Sequence, residues 1–220
     1  MDHDVEIVPD ADAVARFGAA LVATWARGAA ADHGAFAFAV SGGTTPWAMF
    51  ALLEGEDMPW PETTIYQVDE RVAPPGDPDR NFTQLRTSLA GVPATVVPMP
   101  VESEDVEAAA AEYAEALPER FDLVHLGLGD DGHTASLVPG DPVLDVTENL
   151  VALTDEYRGR RRMTLTYPAL ARADQILWLV TGADKGEAFA RLRAGDPSIP
   201  AGRVEAARSL IVADRAAAGS

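Results

Sequence analysis

The segments "AFAFAV" (35–40), "FDLVHL" (121–126) and "QILWLVTG" (175–182) are apolar almost throughout. A strand with one face in water alternates apolar and polar residues, whereas a strand apolar on both faces must be covered on both. That setting is a parallel sheet between two helical layers. Helical stretches fill the intervals. Residues 10–31 place Val14, Phe17, Leu21 and Trp25 near helical spacing behind Asp10 and Asp12, and "SGGTTPWAMFALL" (41–53) turns from glycines into a second helix. The pattern continues with strand "TTIYQVDE" (63–70), helix "FTQLRTSLAG" (82–91), strand "TVVPM" (95–99), helix 103–117 and strand 121–128. Strands "LVALT" (150–154) and "RMTLTY" (162–167), a short helix from Pro168, strand 175–182, helix 184–194 and strand "SLIVAD" (209–214) complete it. The expectation is one doubly wound α/β domain over residues 1–220, with a mostly parallel sheet and helices on both faces. At 220 residues and 47% hydrophobic content, the chain has enough apolar side chain for such a core.

No apolar run reaches the roughly 18 residues of a membrane span, and no basic-then-apolar leader opens the chain, so a soluble cytoplasmic protein is expected. The formal net charge of −18 opposes nucleic acid and anionic membranes as partners. Cysteine is absent and the four histidines are scattered, which excludes disulfides and thiolate sites and leaves no expected metal centre. The basic residues are 16 arginines and one lysine, Lys185.

Ligands of open parallel sheets bind beyond the strand C-termini, where four loops fall. In the first, Gly42 and Gly43 permit a tight turn, Thr44 or Thr45 is placed to cap, and Pro46 suits a first helical turn, which together offer an anion its N–H groups. In the second, Asp69 and Arg71 leave the strand on one side, and an arginine fork there fits phosphate oxygens. The third, "GLGDDGHTASLVPG" (127–140), has the glycine spacing of a dinucleotide turn. It lies at mid-chain, however, and two aspartates stand where a pyrophosphate would lie, so a nicotinamide cofactor is disfavoured. His133 at the loop tip is instead placed as a general base, with Asp131 or Asp130 to orient it. His125, inside the strand, reads as structural. In the fourth loop, Lys185 occupies the first turn of a helix, where the dipole mildly opposes a cation and an anionic ligand would relieve it.

With "SGGTTP" (41–46), "VDERVAP" (68–74), "GLGDDGHTASLVPG", "RMTLTYPAL" (162–170) and "GADK" (182–185) in the same order, the chain resembles the 6-phosphogluconolactonase family from about residue 36 to 214. The resemblance implies a Rossmann-like fold shared with sugar-phosphate isomerases and aminosugar-phosphate deaminases. It also implies cofactor-free hydrolysis of 6-phosphoglucono-δ-lactone to 6-phosphogluconate in the oxidative pentose phosphate pathway. In that reading His133 is the base, Asp131 holds its ring, and the phosphate lies among Gly42–Thr45, Arg71 and Lys185, with Arg162 a further candidate. Two departures stand out: Val138 replaces a phenylalanine, and Arg80-Asn81 stands where the family commonly has Ser-Asn. The deaminases are the nearest rival, yet their pattern carries a glutamate at the position of Val138, which cannot ionise. A non-catalytic sugar-phosphate sensor would carry a DNA-binding segment, for which the chain has neither a basic patch nor spare length.

Overall fold

The computed structural model describes residues 2–219. The first half of the chain forms β1 (Asp4–Val8), α1 (Ala11–His33), β2 (Phe36–Val40), α2 (Thr44–Leu53), β3 (Thr63–Gln67), β4 (Asp69–Arg71), α3 (Asn81–Ser88), β5 (Thr95–Val97) and α4 (Val106–Ala116). The second half forms β6 (Leu123–Gly127), β7 (Val151–Leu153), β8 (Arg162–Leu165), α5 (Tyr167–Leu170), β9 (Gln175–Val180), α6 (Gly186–Arg193), β10 (Arg208–Asp214) and α7 (Arg215–Ala218).

Seven strands make one parallel sheet in the order β1-β10-β9-β6-β2-β3-β5. The chain steps from β2 to β3 and β5 in one direction, and from β6 to β9 and β10 in the other. Strand order therefore reverses between β2 and β6, and a crevice opens beyond their C-termini. The edge strand β1 adds to the expected set; Asp4, Glu6 and Ile7 are exposed on it, so it lacks the doubly buried apolar signature.

Side-chain alternation on the central strands explains their apolar character. Phe36, Phe38 and Val40 of β2, with Leu177 and Leu179 of β9, pack under α1, α2 and α3. Ala39, Ile176, Trp178 and Val180 face the opposite layer, built from α4, α5, α6 and α7. Asp10 starts α1 by accepting from the Ala13 N–H at 2.8 Å. The buried face of α1 is Val14, Ala15, Gly18, Ala19, Val22, Ala23 and Ala26. Phe17, expected on that face, is 37% exposed. Small side chains let α1 lie close to the sheet and α2, and a phenyl ring has no room between them.

The expected strand 63–70 breaks at Val68. Its N–H still bonds the Val40 carbonyl at 3.0 Å, but its own carbonyl accepts from the Leu165 N–H at 2.7 Å. The last three residues, β4, thereby enter a second, antiparallel sheet, β4-β8-β7. Segments 150–154 and 162–167 belong to that sheet and not to the parallel one. Their apolar sequence reflects burial in the same core, since Val151, Met163 and Leu165 pack with Leu126 and Trp178.

Candidate active site

The loop after β6 is tied to itself at several points. Gly129 N–H donates to the His133 carbonyl at 2.8 Å, Gly132 N–H to Gly129 at 3.1 Å, and Thr134 Oγ1 to Gly127 at 2.9 Å. A Cβ on Gly129 would lie 2.1 Å from His133 Nδ1, so only glycine lets the imidazole fold back over the loop. Ala135 follows with φ +50°, a left-handed conformation uncommon for a residue with a side chain.

His133 Nδ1 lies 2.6 Å from Asp131 Oδ1, which also accepts the His133 backbone N–H at 3.0 Å. Asp131, not Asp130, is thus the imidazole's partner. A carboxylate can only accept, so the bond assigns the ring proton to Nδ1 and leaves the lone pair on Nε2. Partial burial alone would raise the Asp131 pKa, but the backbone and imidazole donors outweigh it and hold the carboxyl below its usual range.

His133 lines a cavity of about 140 Å³ together with Gly42, Asp69, Arg71 and Arg162. The cavity lies at the reversal of strand order, where Ser41 and Gly42 leave β2 and Gly127–Gly129 leave β6. A larger groove of about 660 Å³ lies at the opposite, N-terminal edge of the strands. Within it His33 hydrogen-bonds Asp122 at 2.9 Å and Arg120 pairs with Asp174. We assign the chemistry to the smaller cavity because it brings His133 beside Arg71 and Arg162 at the strand C-termini, where open parallel sheets bind ligands.

A fully buried carboxylate, Glu70, lies behind the cavity and holds the backbone of its lining residues Arg71 and Asn81. It accepts from the backbone N–H groups of Arg71 and Asn81 at 2.8 Å and Phe82 at 2.7 Å, and from Gln67 Nε2 at 3.0 Å. Arg80 is buried beneath it, 3.6 Å from Glu70 and paired with Glu102. Asn81 donates to Asp69 at 3.1 Å and accepts from Arg71. Ser136 donates to Asp69 at 2.6 Å, joining the two loops. A Cβ on Gly42 would lie 1.9 Å from Asn81 Oδ1, so the first loop also closes on this side chain.

Arg71 has a neutral partner in Asn81. Arg162 is buried, its Nε has no protein partner, and burial, opposed by Asp69 and reinforced by Arg71, lowers its pKa. Among the described residues, neither arginine has a carboxylate at hydrogen-bonding distance of its guanidinium, and both border one cavity, which suits an anionic ligand. No group of histidine, cysteine, aspartate and glutamate suited to a metal occurs among the described residues.

Gly43, Thr44, Thr45 and Lys185 do not line the cavity. The two threonines do not cap: they form the first turn of α2, which follows Gly43 with no side-chain cap. Thr45 Oγ1 instead meets Thr181 Oγ1 at 2.7 Å, which seats the loop after β9 against that turn. On the same loop Lys185 Nζ pairs with Asp184 at 3.1 Å. His125 is fully buried, and burial drives its pKa down to about 3. Glu70 was absent from the sequence-derived site because nothing separates a buried carboxylate from a surface one in "VDERV". Asn81 was visible only as a departure in its neighbour.

Residues 9–212 match the model of the family described as glucosamine-6-phosphate isomerases/6-phosphogluconolactonase. A 6-phosphogluconolactonase of Nostoc sp. is 31% identical, the match covering 100% of this chain and 98% of that protein. One from Mycobacterium tuberculosis is 35% identical, with 99% and 98% covered. The crystal structure of a 6-phosphogluconolactonase from Shewanella baltica superposes with a TM-score of 0.88 at 25% identity, covering 97% of each chain.

Proposed function

The chain belongs to the glucosamine-6-phosphate isomerase/6-phosphogluconolactonase family, and from that premise we infer that it hydrolyses 6-phosphoglucono-δ-lactone to 6-phosphogluconate. The observation that carries the reading is the His133–Asp131 pair on the wall of an arginine-lined cavity. The lactone's phosphate lies against Arg71 and Arg162, in reach of the uncapped first turn of α2. Lys185 joins by exchanging Asp184 for the phosphate.

In this mechanism His133 Nε2 takes a proton from a water as its oxygen attacks the lactone carbonyl. Asp131 holds the ring and stabilises the imidazolium. When the tetrahedral intermediate collapses, the bond from C1 to the ring oxygen breaks and the imidazolium returns its proton to that oxygen. The product acid then ionises and releases one proton. No metal or organic cofactor enters any step, and a cytoplasmic setting fits a phosphorylated sugar substrate.

Val138 favours the lactonase over the deaminase reading. It is buried in the site loop, where the deaminase pattern carries an ionisable glutamate. Two assays test this. Freshly generated phosphogluconolactone, corrected for spontaneous hydrolysis, should give enzyme-dependent acid release, and glucosamine 6-phosphate should give no ammonia above background. Ammonia without acid release would reverse the assignment.

A further inference from the structure

The β7–β8 connection turns at Tyr157-Arg158-Gly159-Arg160, with Tyr157 and Arg160 bridged as an antiparallel pair. Arg158 and Gly159 have φ of +52° and +80°, the mirror-image geometry of a two-residue hairpin turn. A left-handed arginine carries strain, and such strain persists where the surroundings enforce it. Here they do. Arg160 pairs with Asp77 at 2.9 Å and Arg161 with Glu107 at 3.1 Å, fastening the hairpin to the loop before α3 and to α4.

The half-buried side chain that this turn presents is Tyr157. Its ring meets the His133 ring edge-on at 5.8 Å between centroids. Its hydroxyl lies 3.4 Å from Asp131 Oδ2, the oxygen not bonded to the imidazole. The guanidinium of Arg162 sits over its ring at 5.0 Å, and that of Arg158 at 5.1 Å. One side chain thus touches the imidazole, the carboxylate that orients it, and the buried arginine of the cavity.

We propose that Tyr157 is a positioning residue that fixes the His133–Asp131 pair and Arg162 relative to one another, so that a bound phosphate and the attacking water are held in one register. The assignment rests on the lactonase reading. The hydroxyl and the ring serve separate ends. The hydroxyl donates to Asp131 Oδ2 at 3.4 Å, the carboxylate oxygen that the imidazole leaves free. The ring offers its face to the guanidinium, an attraction that strengthens as water leaves. Arg162 needs such support because burial opposes its charge and no carboxylate sits at hydrogen-bonding distance.

The two parts separate by substitution. Tyr157→Phe keeps the ring and removes the hydroxyl; it should lower kcat about threefold to tenfold, with KM for phosphogluconolactone within about twofold and the melting temperature unchanged. Tyr157→Leu removes the ring as well. It should add a KM increase of about tenfold on phosphogluconolactone and a much smaller one on unphosphorylated glucono-δ-lactone, which has no phosphate for Arg162. The proposal is overturned if Tyr157→Phe retains the parent kcat, or if Tyr157→Leu raises KM equally on both lactones. A parent protein inert on phosphogluconolactone would instead remove the functional reading, and this assignment with it.

Discussion

Arg71 is the residue whose role separates most cleanly by substrate. Its guanidinium faces the cavity and, among the described residues, hydrogen-bonds Asn81 alone, and each charge-assisted bond to a phosphate oxygen contributes about 1.5–3 kcal/mol. Arg71→Ala should therefore lower kcat/KM on phosphogluconolactone roughly tenfold to a hundredfold. On glucono-δ-lactone the same change should have little effect; equal proportional losses on both would assign Arg71 to the fold or the reacting centre. His125 makes the opposite contrast. Its pKa is about 3 in the folded protein against 6.5 ordinarily, so the unfolded chain binds its proton first as pH falls. The contribution is fully present above pH 6.5 and is lost below it, at about 1.4 kcal/mol per pH unit. Unfolding free energies measured from pH 7 to 5 should show a shallower acid slope for His125→Asn than for the parent. The variant should be less stable at pH 7 and retain turnover. A folded His125→Asn protein without activity would contradict the structural role.

At the level of elements, the loops at the strand C-termini are held by buried polar groups more than by apolar packing. Glu70 gathers three backbone N–H groups and one side-chain amide. Glu70→Gln replaces one acceptor oxygen by a donor facing other donors, at a cost of about 2–4 kcal/mol. In a chain of this length that corresponds to a fall in melting temperature of roughly 5–15 °C, measurable by calorimetry. An unchanged melting temperature would mean that the β4–α3 loop is held elsewhere. The parallel strands were legible because burial on both faces leaves an apolar run, and His133 because glycines and aspartates bracket it. The break at Val68 was not. It accompanies a long-range contact at the end of β3, where the Tyr113 hydroxyl accepts from the Gln67 N–H at 2.8 Å and donates to the Gln67 carbonyl at 3.0 Å. That bond joins residues 46 positions apart, beyond the reach of local pattern. Asp69, Arg71 and Arg162 were each placed at a site from the sequence, but their convergence needed the antiparallel pairing of β4 with β8, where Arg71 opposes Arg162.

For the molecule as a whole, the fold sets a cationic cavity into a chain of net charge −18. In the proposed reading a sugar phosphate, at about −1.5 to −2 near neutral pH, is repelled at long range and held where Arg71 and Arg162 converge. The crevice between β2 and β6 brings that anion site within one small cavity of the imidazole. In the proposed mechanism His133, aligned by Asp131, activates water for lactone hydrolysis. The most direct test of that step is acid release from freshly generated phosphogluconolactone by the parent and by His133→Ala, each checked for folding by circular dichroism. General-base catalysis contributes on the order of 10²–10⁴, so kcat in the variant should fall by that factor with its melting curve intact. A folded His133→Ala protein that turns over the lactone at the parent rate would contradict the claim.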